Sequence, residues 1–342
     1  MSEVIIEGRF TALSPIHMGT GERKGNFHPT EIHVTAKALR GMLGTYMYHY
    51  DRELFEKSGI GTEKSILRFF PSYPSGSLPS PSNLRWCKAC GRLIEKENGV
   101  CPNDGNEGKR NPGIFLSKSL EDKVFQKPSI GKTIQAKVPI VRDTGTAPEK
   151  EYALKPYNIE VFGKGKTFDF TMKCPAEIAE MTIGYLKEAG LLMGVGGFRS
   201  RGMGTILFED LKTKPVEEKR KEIMKGLDGD ELLMIVTSPV IVKDSGGYTV
   251  GFNADILRKA GLQVRSVKAN MSRYVKGYAR GWDYSGSDYR LNETIPATGP
   301  RSSYFLSVDN ESAVDAELNG IGEEREIYGH VRFFGGVRIE SQ

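Results

Sequence analysis

Twice along this sequence a β-rich run meets Ser-Pro, continues briefly and breaks at a glycine-containing turn: FTALSPIHMGTG at 10–21 and MIVTSPVIVKDSGG at 234–247. Twice, too, a helix-sized segment passes through a glycine-rich turn into a final strand, EAGLLMGVGGFRSRGMGTILFE at 188–209 and ELNGIGEEREIYGHVRFFG at 317–335. A pattern that recurs over so long a period points to duplication of one α+β unit, and 342 residues suffice for two domains of ordinary size. The unit reads as strand, helix, strands, helix, final strand. That order fits the ferredoxin-like βαββαβ arrangement, with helices on one face of an antiparallel sheet and the other face free to carry a ligand. The expected layout is a first domain at 1–211, a charged linker with room for a short helix at 212–230, and a second domain at 231–342.

Local signals agree with this plan. Val4 to Leu13 alternates as a first strand should. Thr35 is placed to cap a helix from Ala36 to Tyr50, with Leu39, Leu43, Tyr46 and Met47 at helical spacing. Strand-like stretches lie near 133–141 and 157–172, and Pro175 opens a helix over 176–189. Residues 71–86 are rich in Pro, Ser and Gly and read as the start of an insertion, about 71–130, outside the core. Hydrophobic residues at 38 % and charged residues at 27 % suit a core in each half. No apolar stretch approaches the ~18–20 residues of a membrane span. The opening MSEVIIEGRF lacks the basic and apolar regions of a secretion signal, so a cytoplasmic protein is expected.

The sharpest chemical signal is the turn at 194–204, GVGGFRSRGMG. Glycines at this density cost conformational entropy that a plain turn does not require. They supply a backbone surface whose N–H groups can meet phosphate oxygens. Arg199 and Arg201 add charge and bidentate geometry. The candidate polyanion-binding residues are therefore Gly194, Gly196, Gly197, Arg199, Ser200, Arg201, Gly202 and Gly204. The turn lacks the Lys-Ser/Thr pair of a Walker loop, and a helix precedes it where a dinucleotide fingerprint needs a strand.

Charge is concentrated elsewhere as well. The formal net charge is +5, yet residues 258–301 hold nine Lys/Arg against three acids, leaving the rest of the chain about neutral. Within that window Arg273, Lys276 and Arg280 alternate with Tyr274, Tyr278 and Trp282, as single-stranded RNA binding uses cations and stacking rings. A solvated charged face with core aromatics has the same composition. Cys87-x2-Cys90-x10-Cys101 has the spacing of a structural zinc knuckle, with Asp104 where a fourth cysteine is usual. Zinc there would clip an insertion that has no core of its own. Cys174 is an alternative fourth ligand, and a metal-free knuckle the other reading.

Three of these segments together resemble the RAMP superfamily of CRISPR-associated proteins. They are the glycine turn with interleaved arginines, the opening LSPIHMGTG and the first-helix segment AKALRGML at 36–43; the likeness covers most of residues 8–209. The second half is similar less closely, through ATGPRSSYFLSV at 297–308 and a sparser final turn of Gly320, Gly322 and Gly329. That turn carries Glu323, Glu324 and Glu326 beside Arg325, which argues against phosphate contact and leaves a structural or protein-contact role. The resemblance implies two tandem ferredoxin-like, RRM-like RAMP domains, with the knuckle inserted in the first. It adds Arg40 to the RNA-binding candidates. It further implies a non-catalytic subunit of a type III CRISPR effector complex that holds the 5′ handle of the crRNA. The two-domain layout is most similar to the large RAMP subunit of the III-D subtype. The expected partners are crRNA and other effector subunits, with no small-molecule substrate. Some members of the superfamily cleave guide RNA without metal, so His17, Lys24 and His28 are the catalytic candidates if this chain is instead a guide-processing endoribonuclease. A subunit that polymerises along the guide is the third possibility.

Overall fold

The computed structural model describes residues 2–21, 25–62, 64–81, 132–137, 156–227, 229, 231–279, 294–325 and 327–335, with short stretches at 85–86, 89, 93–94, 105, 109–110, 115–117, 282–283 and 290–291. The architecture is mixed α+β. In the first half, β1 (Glu3–Ala12) leads to α1 (Ala36–Tyr50), α2 (Arg52–Ser58) and the short β2 (Arg68–Phe69). The strands β3 (Lys132–Lys137) and β4 (Tyr157–Phe162) pair as a ribbon, and β5 (Thr167–Pro175), α3 (Ala179–Leu192) and β6 (Ile206–Pro215) follow. The sheet runs β6-β1-β5-β2 and is antiparallel throughout.

After α4 (Val216–Lys225) the second half repeats the plan: β7 (Glu231–Val236), α5 (Ala254–Lys259), β8 (Val264–Val267), the ribbon of β9 (Lys276–Ala279) and β10 (Ile295–Thr298), β11 (Ser303–Val308), α6 (Asn310–Asn319) and β12 (Val331–Phe334). Its sheet runs β8-β11-β7-β12. Numbered within each half, both sheets have the spatial order 4-1-3-2. Both halves also place a pair of hydrogen-bonded strands between their second and third sheet strands, joined in the first half by Phe27–His28.

The elements form for reasons visible in the chain. Thr35 caps α1 as expected, its side chain accepting from the Ala38 N–H, while Leu39, Leu43, Tyr46 and Met47 face the core. The stretch read as one strand over 157–172 is two, because the Gly165 turn at φ +81° ends β4 and sends β5 into another sheet. The segment read as a linker is structured to Lys225. β6 continues through Pro215, and α4 then packs on β1 and α6. Lys219 and Lys214 hold Glu7 of β1 at 2.6 and 3.2 Å.

Two expectations are corrected by this packing. The far face of the first sheet is not free: Ile6, Phe10 and Ala12 of β1 face α1 and α3, but Ile5 points the other way into the core of the second half with Ile223 and Leu227. Residues 71–81 are not outside the core either. Ser72, Tyr73, Ser77, Leu78 and Ser80 are buried, and Tyr73 donates from its hydroxyl to the Thr237 carbonyl at 2.5 Å. Small serines and N–H-free prolines let this segment pass between packed halves with little unpaired backbone. Among the described residues no helix is long and apolar enough to cross a membrane.

Two histidines are sealed at this junction. His33, 2 % exposed, stacks on Tyr73 at 5.0 Å, and His330, 1 % exposed, lies 4.8 Å from the Phe70 ring. Burial, with the Lys132 ammonium second, holds His33 down at about 3. Burial and then the Arg68 guanidinium hold His330 at about 3 as well. The unfolded chain binds protons near pH 6.5 that the fold refuses, so stability is full above that pH and falls as pH drops towards 3. The limiting slope is about 1.4 kcal/mol per pH unit for each histidine. Urea unfolding between pH 7.5 and 5 is expected to show this loss, and His33→Gln to remove about half of the slope. A stability independent of pH across that range would contradict the burial of both rings.

Candidate nucleic-acid interface

The glycine turn at 194–204 is docked on the Ser-Pro segment that follows β1. Gly204 N–H donates to the Pro15 carbonyl at 2.9 Å, Gly197 N–H to the His17 carbonyl at 2.8 Å, and Leu13 N–H to the Thr205 carbonyl at 2.9 Å. The Ser14 hydroxyl accepts from Thr205 N–H at 2.9 Å, and Val195 N–H closes the base of the turn on the Gly204 carbonyl at 2.8 Å. Gly196 has φ +83°, and a Cβ there would fall against the His17 carbonyl oxygen. The glycine therefore serves a close approach of two backbones as well as a left-handed turn. The N–H groups of Gly194, Gly197, Gly202 and Gly204 are all spent on carbonyls of the protein and not left for phosphate as expected, and the tip projects Arg199, Ser200 and Arg201 into solvent.

Among the described residues no carboxylate neutralises either arginine. Arg199 makes a 3.4 Å contact with the Met193 carbonyl, and Arg201 donates to the Tyr157 hydroxyl with its guanidinium 5.4 Å from the Phe198 ring centre. Among the described residues neither forms an ion pair, whereas Arg9, Arg52, Arg220 and Arg258 all do. Exposed unpaired guanidinium groups beside a backbone turn are suited to phosphate. Tyr157 of β4 and Phe198 were not singled out in the sequence. Tyr157 lies 37 residues before the turn's start, and only the pairing of the β3–β4 ribbon beside the turn brings it there. His28 packs edge-on against Tyr157 at 5.4 Å, and His17 lies 5.3 Å from Phe198.

The second half repeats the docking bond for bond. Gly329 N–H donates to Pro239 at 2.8 Å, Glu323 N–H to Ile241 at 2.8 Å, Thr237 N–H to His330 at 2.9 Å and Ile321 N–H to Gly329 at 2.9 Å. The Ser238 hydroxyl accepts from His330 N–H at 2.9 Å, as Ser14 does from Thr205. The tips differ. Arg325 folds back, its Nε donating to the Gly322 carbonyl at 2.8 Å and its Nη2 to Ala260 at 3.3 Å, while Glu323 and Glu324 are exposed.

Other candidates fall in several places. Arg40 donates from Nε to the Ile60 carbonyl at 2.8 Å and from Nη2 to Thr62, so its guanidinium ties α1 to the loop after α2. The basic window is not one track. Arg258, Lys259 and Lys268 are in ion pairs with Asp255, Asp244 and Glu231, and Arg301 donates to the Ser80 carbonyl at 3.1 Å. Arg273, Tyr274, Lys276 and Tyr278 remain exposed on and beside β9. Arg280, Lys24, Cys87, Cys90, Cys101 and Asp104 lie outside the described residues. Cys174 is buried in the first core, and burial, with Glu3 second, pushes its thiol up to about 12. His17 is 5 % exposed, with Nδ1 2.8 Å from the Glu160 carbonyl.

Gly202, at φ +77°, has open space where a Cβ would go, so Gly202→Ala is expected to cost only left-handed strain, ~1–2 kcal/mol. Gly196→Ala adds the collision with the His17 carbonyl and is expected to cost upwards of ~3 kcal/mol. Denaturant unfolding of the two variants decides the point, and equal losses would contradict docking as the role of Gly196.

Two chains of solved complexes are similar at low identity. One, in a cryo-EM structure of the Type III-B Cmr-beta bound to cognate target RNA, is 11 % identical with a TM-score of 0.38, over 63 % of this chain and 61 % of that one. Another, in a cryo-EM structure of the Type III-B Cmr-beta bound to cognate target RNA and AMPPnP, is 14 % identical with a TM-score of 0.48, over 96 % and 94 %. No curated protein sequence matches. The family model of the RAMP superfamily matches residues 9–207, more than half the chain and the whole span from β1 to the strand after the arginine-bearing turn. The chain belongs to the RAMP superfamily.

Proposed function

We propose that this protein is a non-catalytic RNA-binding subunit of a type III CRISPR effector complex, built from two tandem ferredoxin-like RAMP domains and holding the 5′ handle of the crRNA. The observation that carries the reading is the pair of exposed arginines, Arg199 and Arg201, which form no ion pair among the described residues, on a glycine turn fixed to the first strand. A phosphate backbone meets such a turn without sequence preference. Arg273 and Lys276, exposed on the second ribbon beside Tyr274 and Tyr278, extend the contact to a further part of the guide or to a neighbouring subunit.

The endoribonuclease alternative needs a base and an acid that reach an RNA backbone. His17 supports it poorly, since the ring lies under Phe198 and the turn, with Nδ1 held at the Glu160 carbonyl. The Cys87, Cys90, Cys101 and Asp104 set is proposed to hold one structural zinc ion. Thiolates and a carboxylate form a donor set that zinc accepts.

Three measurements test these statements. Arg199→Ala/Arg201→Ala is expected to weaken binding of repeat-derived RNA and to lower the slope of log affinity against log salt by roughly 1.4, two phosphates at ~0.7 each for a single strand. An unchanged slope would overturn the phosphate role. Incubation of the purified protein with repeat RNA in EDTA is expected to leave the RNA intact. Site-specific cleavage abolished by His17→Ala would replace this reading with the nuclease. Native mass spectrometry is expected to show one zinc ion per chain, lost in Cys87→Ser, and a zinc-free wild type would refute the knuckle.

A further inference from the structure

Phe198 occupies a backbone conformation that a bulky side chain rarely adopts, at φ 59° and ψ 25°. The docked turn requires a left-handed residue at this point. The matching residue of the second turn, Glu324, is left-handed too, at φ 49°. Phe198 and Glu324 each accept the N–H three residues ahead, from Arg201 and Ile327. Glycine would satisfy that geometry without strain, and the first turn already uses five of them. Neither half places one here. A strained residue kept where glycine is at hand points to a use for its side chain.

The surroundings of the phenyl ring indicate that use. Tyr157 lies nearly parallel to it at 6.4 Å, and the Arg201 guanidinium sits 5.4 Å from its centre while bound to the Tyr157 hydroxyl. Below, the two rings rest on Ile159, Val161 and Met203, so they are braced from the core side and half-buried. The result is a braced cluster of two rings and one guanidinium, beside the arginines that would hold phosphates. Aromatic faces and guanidinium planes are the groups on which unpaired bases stack.

We propose that Phe198, Tyr157 and Arg201 form a stacking platform for one unpaired nucleobase of the bound RNA strand. This rests on the RNA reading above and adds a base-contacting role to a turn otherwise assigned only phosphates. Glu324 removes the platform from the second turn, where an acidic side chain stands at the matching position.

The test uses the full-length protein and two probes. One is a single-stranded RNA of roughly twelve nucleotides, within the range of single-strand sites; the other is an abasic ribose-phosphate strand of the same length and charge. Wild type is expected to bind the base-bearing strand about tenfold more tightly, the size of one base–aromatic stack. Phe198→Leu keeps the apolar packing but lacks the ring and is expected to bind the two strands alike, while Phe198→Tyr restores the preference. Tyr157→Leu, on a separate strand, is an independent arm with the same expected loss. Equal binding of both strands by wild type would overturn the platform and leave phosphate binding standing, as would a preference undiminished in Phe198→Leu and Tyr157→Leu. Failure of wild type to bind either strand would overturn the RNA reading and the platform with it.

Discussion

A glycine turn can be rigid only if its N–H groups are committed, and in this protein they are committed to the carbonyls of Pro15 and His17 in one half and of Pro239 and Ile241 in the other. Proline has no N–H of its own to offer a neighbouring strand. Its carbonyl nevertheless accepts from the last glycine of the turn, and the preceding serine hydroxyl takes the next N–H along. The opening strand and the final strand of each unit, some two hundred residues apart in the first half and about ninety in the second, are thereby locked at one end. Because the inner edge of the turn is used up in this way, whatever the turn does for a ligand must come from its outer edge and from side chains at its tip.

That constraint lets one scaffold serve two purposes. In the first half the tip carries Arg199 and Arg201 pointing outward, with no carboxylate paired to either among the described residues. In the second half the only arginine of the tip is drawn inward, where it bonds the carbonyls of Ala260 and Gly322 and so finishes the end of α5. Two exposed glutamates remain outside. The same backbone thus presents opposite charges at its two copies, and under the proposed reading the RNA approaches only the first. The covering of the first sheet's far face by α4 and the second half has a similar effect. It moves the available surface from the sheet to the turn and the ribbons.

Much of this was legible in the sequence, and the parts that were not have identifiable reasons. The Ser-Pro break and the glycine turns are local patterns, so their positions, the Thr35 cap and the recurrence of one unit could be read directly. What could not be read were contacts made at long range. Tyr157 joins the site because β4 bridges to the Ser-Pro segment through Phe162 and Ile16. Residues 71–81 look like surface by composition, yet they are buried because they lie where the halves meet. Arg40 and most cations of the 258–301 window look available in sequence, but nearby carbonyls and carboxylates take them. The left-handed Phe198 carries no sequence signal at all, since nothing in composition distinguishes a strained phenylalanine from a relaxed one.

The central claim is that the arginine-bearing turn meets RNA and its acidic counterpart does not. Photocrosslinking of 4-thiouridine-substituted repeat RNA to the full-length protein, with the adducts mapped by mass spectrometry, tests it most directly. The expected result is adducts on peptides spanning 194–204 and the Tyr157 strand, and none on the peptide spanning 320–329. Adducts confined to 320–329, with the first turn unlabelled, would contradict the account.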